Sequence, residues 1–353
     1  MSGSPAPAPV VRQADLASAR DCERIEAFVA EHGATPFHRP AWLLAIEDGT
    51  GQRAGGLLAE RAGAIVGWLP LTEVRSPLFA PALVSSGFGV GGGPLAESDA
   101  VSDALCHAAQ EFAQRRSVSS VELRGGTAPE GWQAVTGKHA NFARPLAEDR
   151  EAELAAIPRK ARAEVRKCLN SPLEIVSGRD RDHLAGFYRC YAASVHNLGT
   201  PVFPRKLFAA VLDRFGADAD IVSALYEGRA VSSVLSLYHD GAVMPFWGGG
   251  GADARTLKSN ERVYFELMDH GRARGCTRYD YGRSKVGSGA YNFKKWQGFE
   301  PEPLTYWSWT PPGAKARNID PTDEGYSASV ALWKKLPLPV ATRIGPFIAR
   351  GLG

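Results

Sequence analysis

Apolar and polar positions alternate over Gly55–Glu60 and Ala64–Val74, on either side of Arg61-Ala62-Gly63, which predicts a β-hairpin. Leu83–Val90 reads as a strand that ends in Gly91-Gly92-Gly93-Pro94, Asp99–Arg116 has the spacing of an amphipathic helix, and Val118–Arg124 reads as a strand. The same order then returns. Ile221–Tyr226 and Ala230–Tyr238 flank Glu227-Gly228, Val243–Trp247 reads as a strand ending in Gly248-Gly249-Gly250-Gly251, Asn260–Arg274 as a helix, and Thr277–Tyr281 as a strand. Details match as well: Gly63-x-x-Val66 answers Gly228-x-x-Val231, and Val121-Glu122-Leu123 answers Tyr279-Asp280-Tyr281. A repeated order of hairpin, strand, glycine run, helix and strand predicts a duplicated α+β architecture, with mixed sheets covered by helices.

Around the repeats, residues 18–32 have helical spacing and Thr35–Ile46 reads as a turn and a short helix. A helical segment over 150–170 opens the second half, which places a boundary near residues 145–155. After about residue 311 the chain is rich in proline and glycine up to a short helix near Ala328–Lys335.

A chain of 353 residues is long for one core and fits two domains. Its 44% hydrophobic and 22% charged content is that of an ordinary globular protein, and a net charge of +3 is too mild to imply nucleic acid by itself. The five cysteines have no close pair and no metal-type spacing, which fits reduced thiols in a cytosol. The opening Met-Ser-Gly-Ser-Pro-Ala-Pro-Ala-Pro has neither a basic nor an apolar leader segment and reads as a disordered tail. No run of about 18 apolar residues is present to span a membrane.

The densest set of convergent polar groups lies in residues 275–300. There a strand runs into a loop with Gly282, Gly287 and Gly289 around Arg283, Ser284 and Lys285, followed by a short helix Tyr291–Trp296 that carries Lys294 and Lys295. Against the reading of a binding loop stands that of a well-anchored basic surface loop. Gly248–Gly251 sit where a strand gives way to a helix, so their backbone N–H groups suit an anion such as a pyrophosphate. A structural turn is the alternative, because neither a Walker loop nor a dinucleotide fingerprint is present. Gly91–Gly93 are the equivalent in the first half, where Pro94 removes a donor. On the basic helix that follows Pro158, Arg159, Arg162 and Arg166 share a face able to hold phosphates or simply to face water. His196, read in a polar loop pinned by Pro201 and Pro204, is either a general base or a loop anchor. Asp280 and Glu122 are either site residues or sheet caps.

Several of these motifs, in this order, resemble the FemAB family. They are Ile157-Pro158-Arg159-Lys160, Pro201-Val202-Phe203-Pro204, Gly248–Gly250, Tyr279-Asp280-Tyr281-Gly282-Arg283-Ser284-Lys285, Phe293-Lys294-Lys295-Trp296-Gln297-Gly298-Phe299 and Trp333-Lys334-Lys335-Leu336-Pro337-Leu338-Pro339. More narrowly they are similar to the branch associated with exosortase (PEP-CTERM) and exopolysaccharide loci. The resemblance implies tandem GNAT-like acyltransferase domains: a tail over 1–14, a first domain over 15–148, a second over 149–310 and an extension over 311–353. It implies acyl transfer to an amine on a cell-envelope, peptidoglycan or exopolysaccharide precursor; FemAB and FemX proteins take an amino acid from aminoacyl-tRNA, and related proteins are acetyltransferases. The family's Phe-Lys lysine, which lies near the reacting carbonyl, maps to Lys294, with Asp280 or His196 as candidate bases. Gly248–Gly251 and Asn260 would hold the donor, and Arg159, Lys160, Arg162, Arg283, Ser284, Lys285, Tyr291 and Lys295 the substrate. No metal and no tightly bound cofactor are expected, with acetyl-CoA (or another acyl-CoA) or aminoacyl-tRNA as donor and a small or lipid-linked precursor as acceptor. The location expected is the cytoplasm, including the inner face of the membrane, with a peripheral contact through Trp333, Lys334, Lys335, Phe347 and Arg350. Pro337, Pro339 and Pro346 argue against a long amphipathic helix there. The competing reading is a GNAT-fold module that binds a phosphorylated or sugar-linked ligand without chemistry.

Overall fold

A computed structural model describes residues 7–314, residue 317 and residues 324–353, the side chains of 324–329 excepted. Residues 1–6 of the expected tail, and 315, 316 and 318–323 of the expected extension, lie outside the described residues. The chain begins with β1 (Val10–Gln13), α1 (Ala19–Glu31), α2 (Pro40–Thr50), β2 (Arg53–Arg61), β3 (Ala64–Val74), β4 (Ala82–Val84) and β5 (Leu95–Ala96). It continues with α3 (Asp99–Arg115), β6 (Ser120–Arg124), β7 (Gln133–Val135), β8 (His139–Asn141), β9 (Ala143–Pro145), α4 (Arg150–Ala156) and α5 (Arg159–Leu169). Then come β10 (Glu174–Gly178), α6 (Arg181–Leu198), α7 (Arg205–Phe215), β11 (Ala219–Tyr226), β12 (Arg229–His239), β13 (Ala242–Gly250) and α8 (Ala254–Leu257). The last elements are α9 (Ser259–Ala273), β14 (Arg278–Asp280), β15 (Ser284–Lys285), α10 (Gly289–Trp296), β16 (Glu302–Pro303), β17 (Tyr306–Trp309), α11 (Glu324–Lys335) and α12 (Leu338–Ala349).

Two compact units result: Met1–Thr136 with Thr305–Ile319 and Arg350–Gly353, and Gly137–Leu304 with Asp320–Ala349. The first holds the sheet β1-β2-β3-β4-β6-β17-β7, with β5 on β3. The second holds the sheet β10-β11-β12-β13-β14-β9 and the small sheet β15-β8-β16.

The duplication extends to the turns. Ala62 and Gly63 have φ of 50° and 82°, and Glu227 and Gly228 have φ of 50° and 74°, so both hairpins close through paired left-handed residues whose twist suits the strands. Next to each turn the register slips by one residue, at Ala59/Glu60 and at Ala224/Leu225. Each unit then adds a strand, crosses over through a helical connection, and returns in parallel, β4 to β6 through α3 and β13 to β14 through the short α8 and then α9. These pairings bury the apolar faces of α3 and α9 against their own sheets, with Val101, Leu105 and Ala109 in one core and Val263, Leu267 and Met268 in the other.

Four local expectations are corrected. Val10–Gln13, read as tail, pair with Leu57–Glu60 as an edge strand. The strand expected over Leu83–Val90 stops at Val84, because the chain turns through Ser86 and Phe88 in left-handed backbone. Gly248–Gly250 are not a loop after a strand but the end of β13, paired with Ser232–Val234. Finally, the helix expected near Ala328–Lys335 is not the last: after it α12 runs over Leu338–Ala349, with Pro339 in the first turn, where its missing N–H costs nothing.

The glycines of β13 answer a packing demand. A Cβ on Gly249 would lie 2.4 Å from Ser194 Cβ and 2.9 Å from the Cys190 carbonyl oxygen, both on α6. One on Gly250 would lie 2.4 Å from Ala254 Cβ. The backbone of β13 therefore approaches its covering helices more closely than any side chain permits. Gly249→Ala is expected to lower stability by about 2 kcal/mol through overpacking. Gly251→Ala, whose Cβ would meet only the Val231 carbonyl at 3.7 Å, should leave it unchanged. Denaturant titration of the two variants checks the contrast.

Candidate active site

β13 and β14 pair in parallel at only two positions, Ala242 with Arg278 and Val243 with Tyr279. On its other edge β14 pairs with β9 throughout, from Arg278 opposite Pro145 to Asp280 opposite Ala143, while Met244–Gly250 stay on β12 alone. Among the described residues no strand pairs with the other edge of Met244–Gly250. A strand edge without a neighbouring strand is the kind of surface on which an extended ligand binds by strand addition. The glycines end at α9, whose start is tied to β12 by Ser232, with its hydroxyl 2.6 Å from Ser259 Oγ and 2.8 Å from Asn260 Oδ1. Asn260 is thus a structural acceptor at the first turn of the helix, beside the backbone N–H groups that a helix start leaves unpaired.

Where the two strands part, two charged side chains hold one turn from opposite sides. Gly282 N–H donates to Asp280 Oδ1 at 2.9 Å, and Asn141 Nδ2 donates to the same oxygen at 3.2 Å. Lys294 Nζ donates to the Gly282 carbonyl at 2.8 Å and to that of Arg283 at 3.3 Å. Lys294 comes from α10, which starts at Ser288, whose hydroxyl accepts from Tyr291 N–H. The helix ends with Phe299 N–H bonded back to the Lys294 carbonyl.

Lys294 is 8% exposed, and aromatic rings surround it. Its Nζ lies 5.4 Å from the Tyr281 ring centroid and 5.5 Å from that of Phe142. Tyr281 in turn packs on Tyr264 and Phe299, with centroids 5.0 Å away in each case. Burial raises the Tyr264 phenol to about 12 and the Tyr281 phenol well above its ordinary value, so both are neutral at neutral pH. The same burial pulls the Lys294 ammonium down to about 7, Arg283 adds to the fall, and Asp280 offsets part of it. A shifted amine of this kind makes Lys294 a candidate functional group.

The other expected site residues divide. Tyr291 packs edge-on to Phe142 at 5.2 Å, and Lys295 Nζ lies 5.9 Å from the Tyr291 ring. Ser284 and Lys285 form β15 against β8, and the buried Ser284 hydroxyl has no partner. Arg159 and Lys160 are exposed at the start of α5, beside the end of α10, since a Cβ on Gly298 would lie 2.8 Å from Pro158 Cδ. Arg162 is not open to a phosphate: it donates to the carbonyls of Ile157 and Ala155 and so caps α4. His196 is not in a loop. It occupies the last turn of α6, buried with Nε2 unpartnered, because the helix continues to Leu198 and stops at Gly199. No hydrogen bond joins it to Lys294 or Asp280.

Asn141, Phe142, Tyr264 and Tyr281 complete the surroundings of Lys294; of these only Tyr281 figures in the sequence reading, as part of a motif and without a role. Asn141 lies 139 positions from Asp280, and no local pattern signals such a pairing. In the first unit the corresponding place is filled by its own chain. Arg124, the counterpart of Gly282, donates to the carbonyls of Gly89 and Ser86 at 2.6 and 3.4 Å, and Glu122, the counterpart of Asp280, pairs with Arg317 at 3.2 Å.

The displaced Lys294 has a consequence for stability. Its folded-state value near 7 lies below the ordinary 10.5, so between the two the unfolded chain binds more protons and stability rises with pH. The cost of charging Lys294 is complete below about pH 7 and gone above 10.5, each unit of displacement being worth about 1.4 kcal/mol. The stability of Lys294→Met minus that of the wild type should therefore shrink by a few kcal/mol between about pH 6 and about pH 9.5. A difference independent of pH in denaturant titrations would contradict the shift.

Residues 158–295 match the family described as acetyltransferase (GNAT) domain. No curated protein matches the sequence. The fold resembles that of FemX, with a TM-score of 0.64 at 14% identity over 82% of this chain and 95% of that one. It also resembles a tandem GNAT protein of the clavulanic acid biosynthesis pathway, with a TM-score of 0.54 at 12% identity over 87% of this chain and all of the other. Saccharomyces cerevisiae N-myristoyltransferase, solved with bound myristoyl-CoA, gives 0.51 at 11% identity over 87% and 85% of the two chains. The α+β fold is thus of the tandem GNAT kind, and the stretch that matches the acetyltransferase (GNAT) domain lies in its second unit.

Proposed function

We propose that this chain is an N-acyltransferase that moves an acetyl or aminoacyl group onto an amine of a cell-envelope precursor, with Lys294 as its central catalytic residue. The observation that carries the reading is the buried Lys294 ammonium, held near neutrality where β13 and β14 part. In the reaction the amine nitrogen attacks the donor carbonyl, a C–N bond forms, and the C–S bond of a thioester or the C–O bond of an ester breaks. Negative charge develops on the carbonyl oxygen, and a nearby ammonium donor in a water-poor site stabilises it. That charge also raises the affinity of Lys294 for its proton, so the lysine is charged when the transition state needs it. Asp280 acts as a positioning residue through Gly282, and the amine proton passes to water or to the Asp280 carboxylate.

The open edge of Met244–Gly250 and the first turn of α9 suit an acyl-CoA donor, whose amide-bearing arm and pyrophosphate match a strand edge and a helix start. Aminoacyl-tRNA is the alternative donor, with Arg159, Lys160 and Lys295 as the nearby cations. A covalent intermediate on cysteine is disfavoured: burial raises the thiols of Cys106 and Cys168 to about 12 and that of Cys190 to about 11. The acceptor class, a peptidoglycan or exopolysaccharide precursor, and the placement in the exosortase-associated branch rest on the FemAB resemblance of the motifs around Tyr279–Lys285 and Phe293–Phe299.

The test supplies acetyl-CoA or charged tRNA with an envelope extract and follows acylated amine by mass spectrometry. Lys294→Met should lower kcat/KM about 100- to 1000-fold, with the donor KM little changed. Full turnover by that variant removes the role of Lys294. Donor binding with no product from the wild type would favour the non-catalytic binding module instead.

A further inference from the structure

α12 is built the wrong way round for a helix that serves only its own core. Its inward face is Ala341, Gly345 and Ala349, all buried, and a Cβ on Gly345 would lie 2.7 Å from Val202 Cγ2 and 2.9 Å from Val202 N. Leu338 and Ile348 are half-buried, but three large apolar residues point outward: Val340 is 43% exposed, Ile344 40% and Phe347 68%, at the four- and three-residue spacing that makes one stripe. Eight large apolar side chains are exposed among the described residues, and half of them, Leu332 included, fall within residues 332–347. Small residues inward and large ones outward leave apolar surface in water for no gain within the fold.

Charge identifies what covers it. From Gly325 to Gly353 the sequence has four basic residues, Lys334, Lys335, Arg343 and Arg350, and no acidic one. Lys334, Lys335 and Arg343 are exposed and form no ion pair among the described residues, and Arg343 precedes Ile344 at the border of the stripe. A stripe of three side chains is narrow against the roughly 800 Å² that each partner buries in a stable protein interface. It is sufficient for a helix lying in the plane of a membrane surface, where apolar side chains enter the acyl boundary and flanking cations meet anionic headgroups.

We propose that the outer face of α12 docks this protein peripherally on an anionic lipid bilayer. Val340, Ile344 and Phe347 enter the interface, and Lys334, Lys335 and Arg343 face the lipid headgroups. Trp333 takes no part: it is buried, its indole turned into the protein. No described helix is long and apolar enough to cross a membrane, so the attachment is a surface one.

The test is co-sedimentation of the full chain with phosphatidylcholine vesicles, with and without about 30% phosphatidylglycerol. The wild type should bind the anionic vesicles and be released as salt rises. The double variant I344E/F347E should bind at least about tenfold more weakly, and K334Q/K335Q/R343Q about fivefold more weakly per charge removed. Both should melt like the wild type, because all five side chains are exposed. Failure of the folded wild type to bind anionic vesicles at low salt overturns the proposal, as does undiminished binding by I344E/F347E. So does a dimer in analytical ultracentrifugation that I344E/F347E dissolves while vesicles are ignored, since the stripe would then cover a second copy. The assay reads no chemistry, so its outcome is separate from that of the Lys294 experiment.

Discussion

The short parallel pairing of β13 with β14 is the constraint on which the second unit depends. Two paired positions suffice to close the crossover through α9, so that the helix covers the sheet and its start meets the end of β13. The separation that follows leaves one edge of Met244–Gly250 without a strand and sends Asp280 and Gly282 the other way, to where α10 delivers Lys294. Had the strands stayed paired, the edge would be sealed and the turn at Gly282 displaced.

The same architecture in the first unit is put to a different use. There the chain from Ser85 to Gly93 folds back on itself, and Arg124 is committed to two of its carbonyls. Glu122 is neutralised by Arg317, whose side chain is almost wholly buried and also donates to the Gly351 carbonyl at 2.6 Å. Groups committed to partners in this way hold a structure. In the second unit Lys294 is instead bonded only to neutral carbonyls and faces neutral rings, so its charge is poorly compensated. A buried charge is tolerated in either unit, but only one of them keeps it available.

Helix α12 applies the same contrast to apolar surface. Its small inward residues let it lie close against the second unit, and that close fit leaves Val340, Ile344 and Phe347 outside. Local sequence rules argued against a long amphipathic helix there because of three prolines, and α12 has 12 residues. Pro337 precedes the helix and Pro339 lies in its first turn, where no backbone N–H is needed; only Pro346 interrupts its hydrogen bonding.

Determined by the sequence alone were the repeat, its hairpins, the crossover helices and the loop-and-helix segment that bears Lys294. All of these are patterns of neighbours, with periods of two and of about 3.6 residues and turn glycines at matching offsets. Tertiary structure alone decided that Gly248–Gly250 extend a strand, since the reason is the approach of α6 and α9 and not any property of a turn. It likewise decided that Arg162 caps a helix, that His196 is helical and buried, and that Asn141 reaches Asp280 across 139 residues. The acidity of Lys294 belongs to this second group as well. Its side chain is that of any lysine, and its burial beside the rings of Phe142 and Tyr281, brought together from distant parts of the chain, with the Arg283 charge nearby, lowers the proton affinity of its amine.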